Sequence, residues 1–320
     1  MFRPLRLLAM VAALYVPATA SAQFNTKTAG APAGAPLGAA KTQKWEFGAS
    51  IRAVGGPCAG LFGTVPVPAD WPEQQVKIVG EEITPQVRRS TYRQIDGLKQ
   101  LLFEVPQLAS GETANCFVTF EVTKSAQSPP ADPSGLVVPK VPPKEVRKLL
   151  GPSPQVESSN SKIKNLAREL TTGKSGGWEQ VQAIRDAVRE KVKFEPENQD
   201  VFKGAIGALR DGQADKEDMT ATFVALCRAA KIPARMVWVL DYCYAEFFLE
   251  DAEGHGAWYP CVLHQEMELG EVQDTRPILQ KGDNFKVPEQ KSPQRFVTEF
   301  LTGKGGGGQP SVEFRRRMAD

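Results

Sequence analysis

The sequence predicts an α+β chain in which an all-β sandwich precedes a mixed domain of helices and strands. Three observations carry that reading. Between residues 44 and 123, short alternating apolar stretches recur between turn residues. From residue 156 onward, apolar residues recur at helical spacing instead. From Asp211 to Leu263, one long helical pattern gives way to three successive strand patterns.

The 320 residues suggest about two domains plus tails. Met1 to Ala22 reads as a signal peptide: Arg3 and Arg6 form a positive start, Leu7 to Val16 an apolar run, and Ala20-Ser21-Ala22 a small-residue cleavage site. The product is therefore expected to be exported, periplasmic or extracellular, with no membrane span after cleavage. Removing Arg3 and Arg6 brings the 39 basic residues into balance with the 37 acidic ones. That balance gives no reason to expect nucleic acid. Residues 23–43, rich in Ala, Gly, Thr and Lys, read as a flexible leader.

Residues 44–123 read as the sandwich. Alternation marks Trp45-Glu46-Phe47 and Phe117 to Val122, with further strands at Val76 to Ile83, Val87 to Tyr92 and Leu98 to Val105. Gly55-Gly56-Pro57, Asp96-Gly97 and Ser110-Gly111 supply turns. Leu108 to Glu112, leading into a strand, resembles immunoglobulin-like or fibronectin-type modules. Cys116 shares a face with Val118, Phe120 and Val122. In an exported chain a Cys58–Cys116 disulfide is expected in preference to two buried thiols. Residues 124–155 carry Pro129-Pro130, Pro133, Pro139, Pro142-Pro143, Pro152 and Pro154, which reads as a semi-rigid linker, with a helical turn at Lys144 to Leu150.

The second domain is expected over residues 156–302. Ile163, Leu166, Ala167 and Leu170 share one helix face, and Val181, Ile184, Val188 and Val192 another. Gly204 to Arg210 leads into the central helix. Asp215 caps that helix, and Asp218, three residues on, completes the capping pattern. Met219, Phe223, Leu226, Cys227 and Ala230 form its apolar face, and Pro233 stops it. Strands follow at Arg235 to Leu240, Tyr244 to Leu249 and about Trp258 to Leu263, with a turn at Glu250 to Gly256. Residues 303–320 read as a Gly-rich and charged tail.

The run Phe223-Val224-Ala225-Leu226-Cys227-Arg228-Ala229-Ala230-Lys231-Ile232-Pro233-Ala234-Arg235 resembles the transglutaminase-like superfamily, a papain-like group of cysteine transamidases and proteases. There a cysteine opens a helix that ends in F-x-A-L-x-R-A-x-G-I-P-A-R. Strands carrying H-x-W-x-E and then W-x-x-x-D follow, and Tyr244-Ala245-Glu246 is similar to the W-x-E portion. The resemblance covers roughly residues 156–263 and implies a papain-like α+β fold. It also places the nucleophile position on Lys216, the base position on Tyr242 and the acidic position on Val262.

None of those three residues suits its role. The chemistry needs a thiolate at a helix N-terminus, an imidazole to take its proton and a group to orient that imidazole. An ammonium is no nucleophile while protonated, a phenol titrates near pH ~10, and valine orients nothing. The resemblance therefore implies a fold with a degenerate triad and no catalytic residues.

Cys227, on the apolar helix face, reads as structural. Cys243 and Cys261 lie on strands flanking the turn, where a bridge is possible; if free, Cys243 is the thiol beside the base position. His255 sits in the turn and His264 follows the third strand. No metal-ligand spacing and no phosphate loop is present, so no metal and no cofactor is expected. Two functions stay open. One is a non-catalytic module binding a peptide, a protein or a cell-envelope polymer, with a purely structural envelope protein as its blander variant. The other is an active amidase, protease or transamidase using Cys243 with His255 or His264.

Overall fold

The computed structural model describes residues 34–196, 202–303 and 305–319. The signal-peptide segment and the first part of the expected leader lie outside them. The chain opens with strands β1 (Leu37–Val54), β2 (Cys58–Val67), β3 (Gln74–Ile83), β4 (Arg89–Ile95), β5 (Leu98–Leu108) and β6 (Thr113–Gln127). Helices α1 (Lys144–Arg147), α2 (Ser161–Thr171) and α3 (Gly177–Lys191) follow, then β7 (Lys193–Phe194), α4 (Gly204–Asp211), β8 (Gln213–Ala214) and α5 (Lys216–Ala229). The chain ends with β9 (Ala234–Val239), β10 (Tyr242–Glu250), β11 (Gly256–Cys261), β12 (Ile278–Lys281), β13 (Phe300–Thr302) and β14 (Gln309–Met318).

The β region is a sandwich. One sheet runs β14-β1-β6-β3; β4, β5, β2 and β13 lie in the other. Trp45, Phe47, Ala49 and Ile51 alternate inward from β1 and meet Leu101 and Phe103 of β5 and Val118 and Phe120 of β6. Period-two alternation buries every second side chain, which is why these stretches form paired strands. Cys58 and Cys116 both belong to this core as free thiols, so the expected Cys58–Cys116 disulfide is absent.

Two expectations about chain ends are corrected. The leader was expected to be flexible to residue 43, yet β1 starts at Leu37 and pairs with β6 from there. The charged tail is a strand: β14 pairs antiparallel with β1 from Trp45↔Met318 to Val54↔Gln309. Its Arg315, Arg316 and Arg317 reach Glu46 and Glu299, so a basic run becomes a sheet edge once carboxylates face it.

How the β region sits against the second domain is left open by the sequence. A sheet with the order β11-β10-β9-β12-β5-β2-β13 crosses from one to the other, and residues 31–320 form one compact unit. The junction is the pair Gln280↔Leu98. Beside it lies Gly97, whose φ of +74° and lack of a side chain are both required: a Cβ there would sit 1.9 Å from the carbonyl oxygen of Lys281. Asp96-Gly97 closes the β4–β5 hairpin, where a left-handed turn residue matches strand twist.

Helix α5 lies at the centre. The sequence suggested one apolar face, yet every residue from Asp218 to Arg228 is buried. Helices α2, α3 and α4 cover part of it and β9 and β10 cover the rest. A helix of Met, Ala, Phe, Val and Leu with few charges is stable only when surrounded. Its two buried threonines turn their hydroxyls back onto the helix, Thr220 to the carbonyl of Lys216 and Thr222 to that of Asp218, each at 2.7 Å.

Candidate functional site

The start of α5 is built as its sequence indicates, with one difference. The Asp215 carboxylate accepts the Asp218 N–H at 2.8 Å, a regular N-cap. The Asp218 carboxylate does not reciprocate. It accepts from the backbone N–H groups of Lys203 (2.7 Å) and Gly204 (3.1 Å), at the start of α4, and from Arg295 Nη1 (3.1 Å). Asp218 thus ties two helix N-termini and a distant loop together.

Lys216, the nucleophile position of the resemblance, is the first residue of α5. Tyr242, the base position, opens β10 and is 6% exposed. Its ring meets the His264 ring edge-on at 5.2 Å between centroids, and the Arg276 guanidinium lies 5.1 Å from its centroid. Burial, then the nearby carboxylate of Asp274, holds the Tyr242 hydroxyl far above the usual phenol range. Val262 directly follows β11, is buried with Tyr242 and Tyr244, and offers the site its backbone carbonyl alone, which accepts from Arg189 at 3.1 Å.

His264, two residues further on, packs between Tyr242 and Phe194. Burial first, then the positive charges of Lys216, Arg189 and Arg276, lowers its pKa to about 4, so the imidazole is neutral at pH 7. Its Nδ1 has no hydrogen-bond partner among the described residues. The fold therefore gathers Lys216, Tyr242 and His264 into one corner.

Cys243 points the other way. Strand alternation turns Cys243, Ala245 and Phe247 into the core around α5, whereas Tyr242 and Tyr244 face the opposite side of the sheet. The Cys243 thiol is 1% exposed and lies 3.7 Å from both the Lys216 carbonyl and the Thr220 hydroxyl. Burial, with Glu217 adding to it, drives its pKa well above that of an ordinary cysteine. Cys227 and Cys261 are also buried and free, and burial pushes the Cys261 thiol up to about 12. The possible Cys243–Cys261 bridge is not formed. In the hairpin register Cys261 faces Ala245, two residues from Cys243.

His255 lies at the far end of that hairpin. Glu250 stands seven residue steps along the strand from Cys243, about 23 Å at ~3.3 Å per step. His255 and Glu253 donate their backbone N–H groups to Asp251 Oδ1 at 2.8 and 3.1 Å, closing the turn. Ligand atoms of Asp251, Glu253 and His255 lie within 4.8 Å of one another, at the surface.

The buried charge networks were not legible in the sequence. Arg228 donates to the carbonyls of Ala234 and Gly151 and makes a two-pronged pair with Asp283 at 2.9 and 2.7 Å. Arg235 pairs with Glu246, which also accepts from Lys281 at 2.6 Å; Lys281 in turn reaches Glu73 of β3's approach at 2.5 Å. Burial raises the Glu246 pKa, but Arg235 and Lys281 outweigh it and hold the carboxyl below its usual range. The two arginines of the R-A-x-x-I-P-A-R run are thus structural ties. Arg228's partner Asp283, and the Lys281 and Glu73 that extend the Arg235–Glu246 pair, come from segments far along the chain.

Residues 164–262 match the family described as the Transglutaminase-like superfamily. This segment, which runs from α2 to Val262, is similar to a transglutaminase-like core and lies within a chain of mixed α+β fold. Among solved structures, a putative cysteine protease from Cytophaga hutchinsonii is similar at a TM-score of 0.54 and 14% identity, over 88% of this chain and 93% of that one. The periplasmic domain of TgpA from Pseudomonas aeruginosa is similar at a TM-score of 0.34 and 13% identity, over 68% of this chain and 86% of that one. A putative protease from Parabacteroides distasonis gives 0.30 and 15%, over 76% and 49%. No curated protein matches the chain. The first likeness spans the β region as well as the core, so the whole architecture recurs outside this chain.

Proposed function

We propose that this is an exported, non-catalytic transglutaminase-like protein that binds a peptide, a protein or a cell-envelope polymer at the corner formed by the start of α5 and the start of β10. The observation that carries the reading is the chemistry of the corner. Where the resemblance expects thiol, imidazole and carboxylate, the side chains are an ammonium, a phenol and an isopropyl group. The half-buried His264 and the aromatic rings of Tyr242 and Phe194 are suited to binding instead. Export rests on the N-terminal Arg3, Arg6, Leu7 to Val16 and Ala20-Ser21-Ala22 pattern. Among the described residues no helix is long and apolar enough to cross a membrane.

The competing enzyme reading needs an ionisable thiol, and nothing favours it. Cys243 is enclosed, its pKa is raised, and its side chain leaves the sheet on the face opposite Tyr242. Iodoacetamide labelling of the native protein separates the two. No fast-reacting thiol is expected. A single fast-reacting cysteine at position 243 supports the enzyme reading, and peptide hydrolysis or cross-linking abolished by Lys216→Ala overturns the non-catalytic one.

A further inference from the structure

We propose that a cleft at the end of α5 remote from the Lys216 corner binds a ligand carrying two or more oxyanion groups, phosphate or carboxylate. α5 is 14 residues long, about 20 Å at ~1.5 Å per residue, so the two places are separate. The cleft lies between α2 and the end of α5 and has a volume of about 570 Å³, within the range of small-ligand sites. The inference does not rest on the non-catalytic reading of the corner.

Its charged lining residues are all basic. Lys164 and Arg168 come from α2, Arg228 from the last turn of α5 and Lys231 from the turn just after it. Among the described residues no Asp or Glu lines the cleft. Arg228 is 3% exposed and already committed to Asp283. Lys164, Arg168 and Lys231 are exposed, and their side chains make no ion pair or hydrogen bond with a described residue. This is a local excess of positive charge. Elsewhere on the surface Lys148 finds Asp96 and Glu145, and Arg315 finds Glu46 and Glu313.

Such an excess is unfavourable in the free protein. Lys164 and Arg168 stand one helical turn apart, roughly 5–6 Å between Cβ atoms, where like charges repel. Lys231 adds a third positive charge and holds φ +68°, a conformation that glycine adopts freely and lysine only with steric strain. The pattern this run resembles has glycine there, so a lysine beside the cleft answers to something other than the backbone. An anionic ligand accounts for all three residues. It relieves the repulsion, it gives the Lys231 ammonium a use, and Arg168 presents a fork that fits phosphate and carboxylate alike. Three uncompensated cations in a cleft of this size match at least two oxyanions rather than one. Ser158 and Ser159 in the same lining offer hydroxyl donors.

Titration calorimetry on the full chain at low salt tests it with tripolyphosphate and citrate, against inorganic phosphate and acetate. At least one of the two polyanions is expected to saturate a single site, at least about tenfold more tightly than its single-anion counterpart, the worth of one further charged contact. Whichever of the two binds more tightly tells phosphate from carboxylate recognition. Arg168→Gln and Lys231→Gly are each expected to weaken that binding about tenfold. Glutamine suits the exposed face of α2 and glycine suits the backbone at position 231, so both variants are expected to fold. Lys77→Gln, which removes a charge from β3, is expected to leave the affinity unchanged. No saturation, single anions bound as tightly, a loss as large from Lys77→Gln or from Lys216→Ala, or unchanged affinity in both cleft variants would each overturn the proposal.

Discussion

His264 shows how little of a side chain's chemistry is carried by its identity. As a residue it is an ordinary imidazole with a pKa near ~6.5. In place, burial and three neighbouring cations bring it to about 4. Between those values the unfolded chain holds the extra proton and the folded one does not, so stability falls as pH drops from ~6.5 towards ~4. His264→Gln removes this contribution. Thermal melts from pH 7 to pH 4 are expected to show the variant losing less stability than the parent chain, with the gap opening only below pH ~6.5. Parallel curves would mean that the imidazole titrates normally. The three positions taken from the resemblance were legible as residues. That Tyr242 meets His264 was not, because strand parity and the turn after β11 decide it.

At the scale of elements, α5 is closed at both ends by local chemistry that can be read in sequence. Asp215 caps its start. Its end uses a left-handed residue: Lys231 has φ +68°, and the N–H of Ile232 reaches back to the Cys227 carbonyl at 2.9 Å, a Schellman-type closure. Glycine fills that conformation without steric cost, and the pattern this run resembles has glycine there. Lys231→Gly is expected to stabilise the fold by about 1 kcal/mol, read as a higher urea midpoint at unchanged slope. An unchanged or lower midpoint would show that the lysine stem contributes packing the backbone does not reveal. What local chemistry did not reveal is that α5 is enclosed all round. Its amphipathic pattern is weak for that reason, since no face needs to be polar.

At the scale of the molecule, the last strand has a role out of proportion to its composition. β14 covers the free edge of β1, and Val312 and Phe314 pack on the sandwich core. Deleting residues 309–320 uncovers a long strand edge, a template for self-association. The truncated chain is expected to lose at least about 2 kcal/mol from those two half-buried side chains and to elute as larger species in size-exclusion chromatography. A monomer with an unchanged urea midpoint would show that β14 is dispensable. The sheet that crosses from β5 to β12 likewise makes the β region and the transglutaminase-like core one unit, so a cut in the proline-rich segment does not separate them.

Period-two and helical spacing, capping residues and the Ile232-Pro233 stop determined the α+β class, the central helix and the three strands after it, because those signals act within one or two turns of chain. The signature run located the core, and the identities of Lys216, Tyr242 and Val262 set the chemistry of its corner. Tertiary structure alone decided the rest. Glu73 meets Lys281, Gln127 is left with an open acceptor, cysteines that an oxidising compartment would invite to pair stay apart, and a charged tail becomes a strand. Each depends on groups far apart in sequence meeting in space, where buried charge must find its opposite and a strand edge must find a partner.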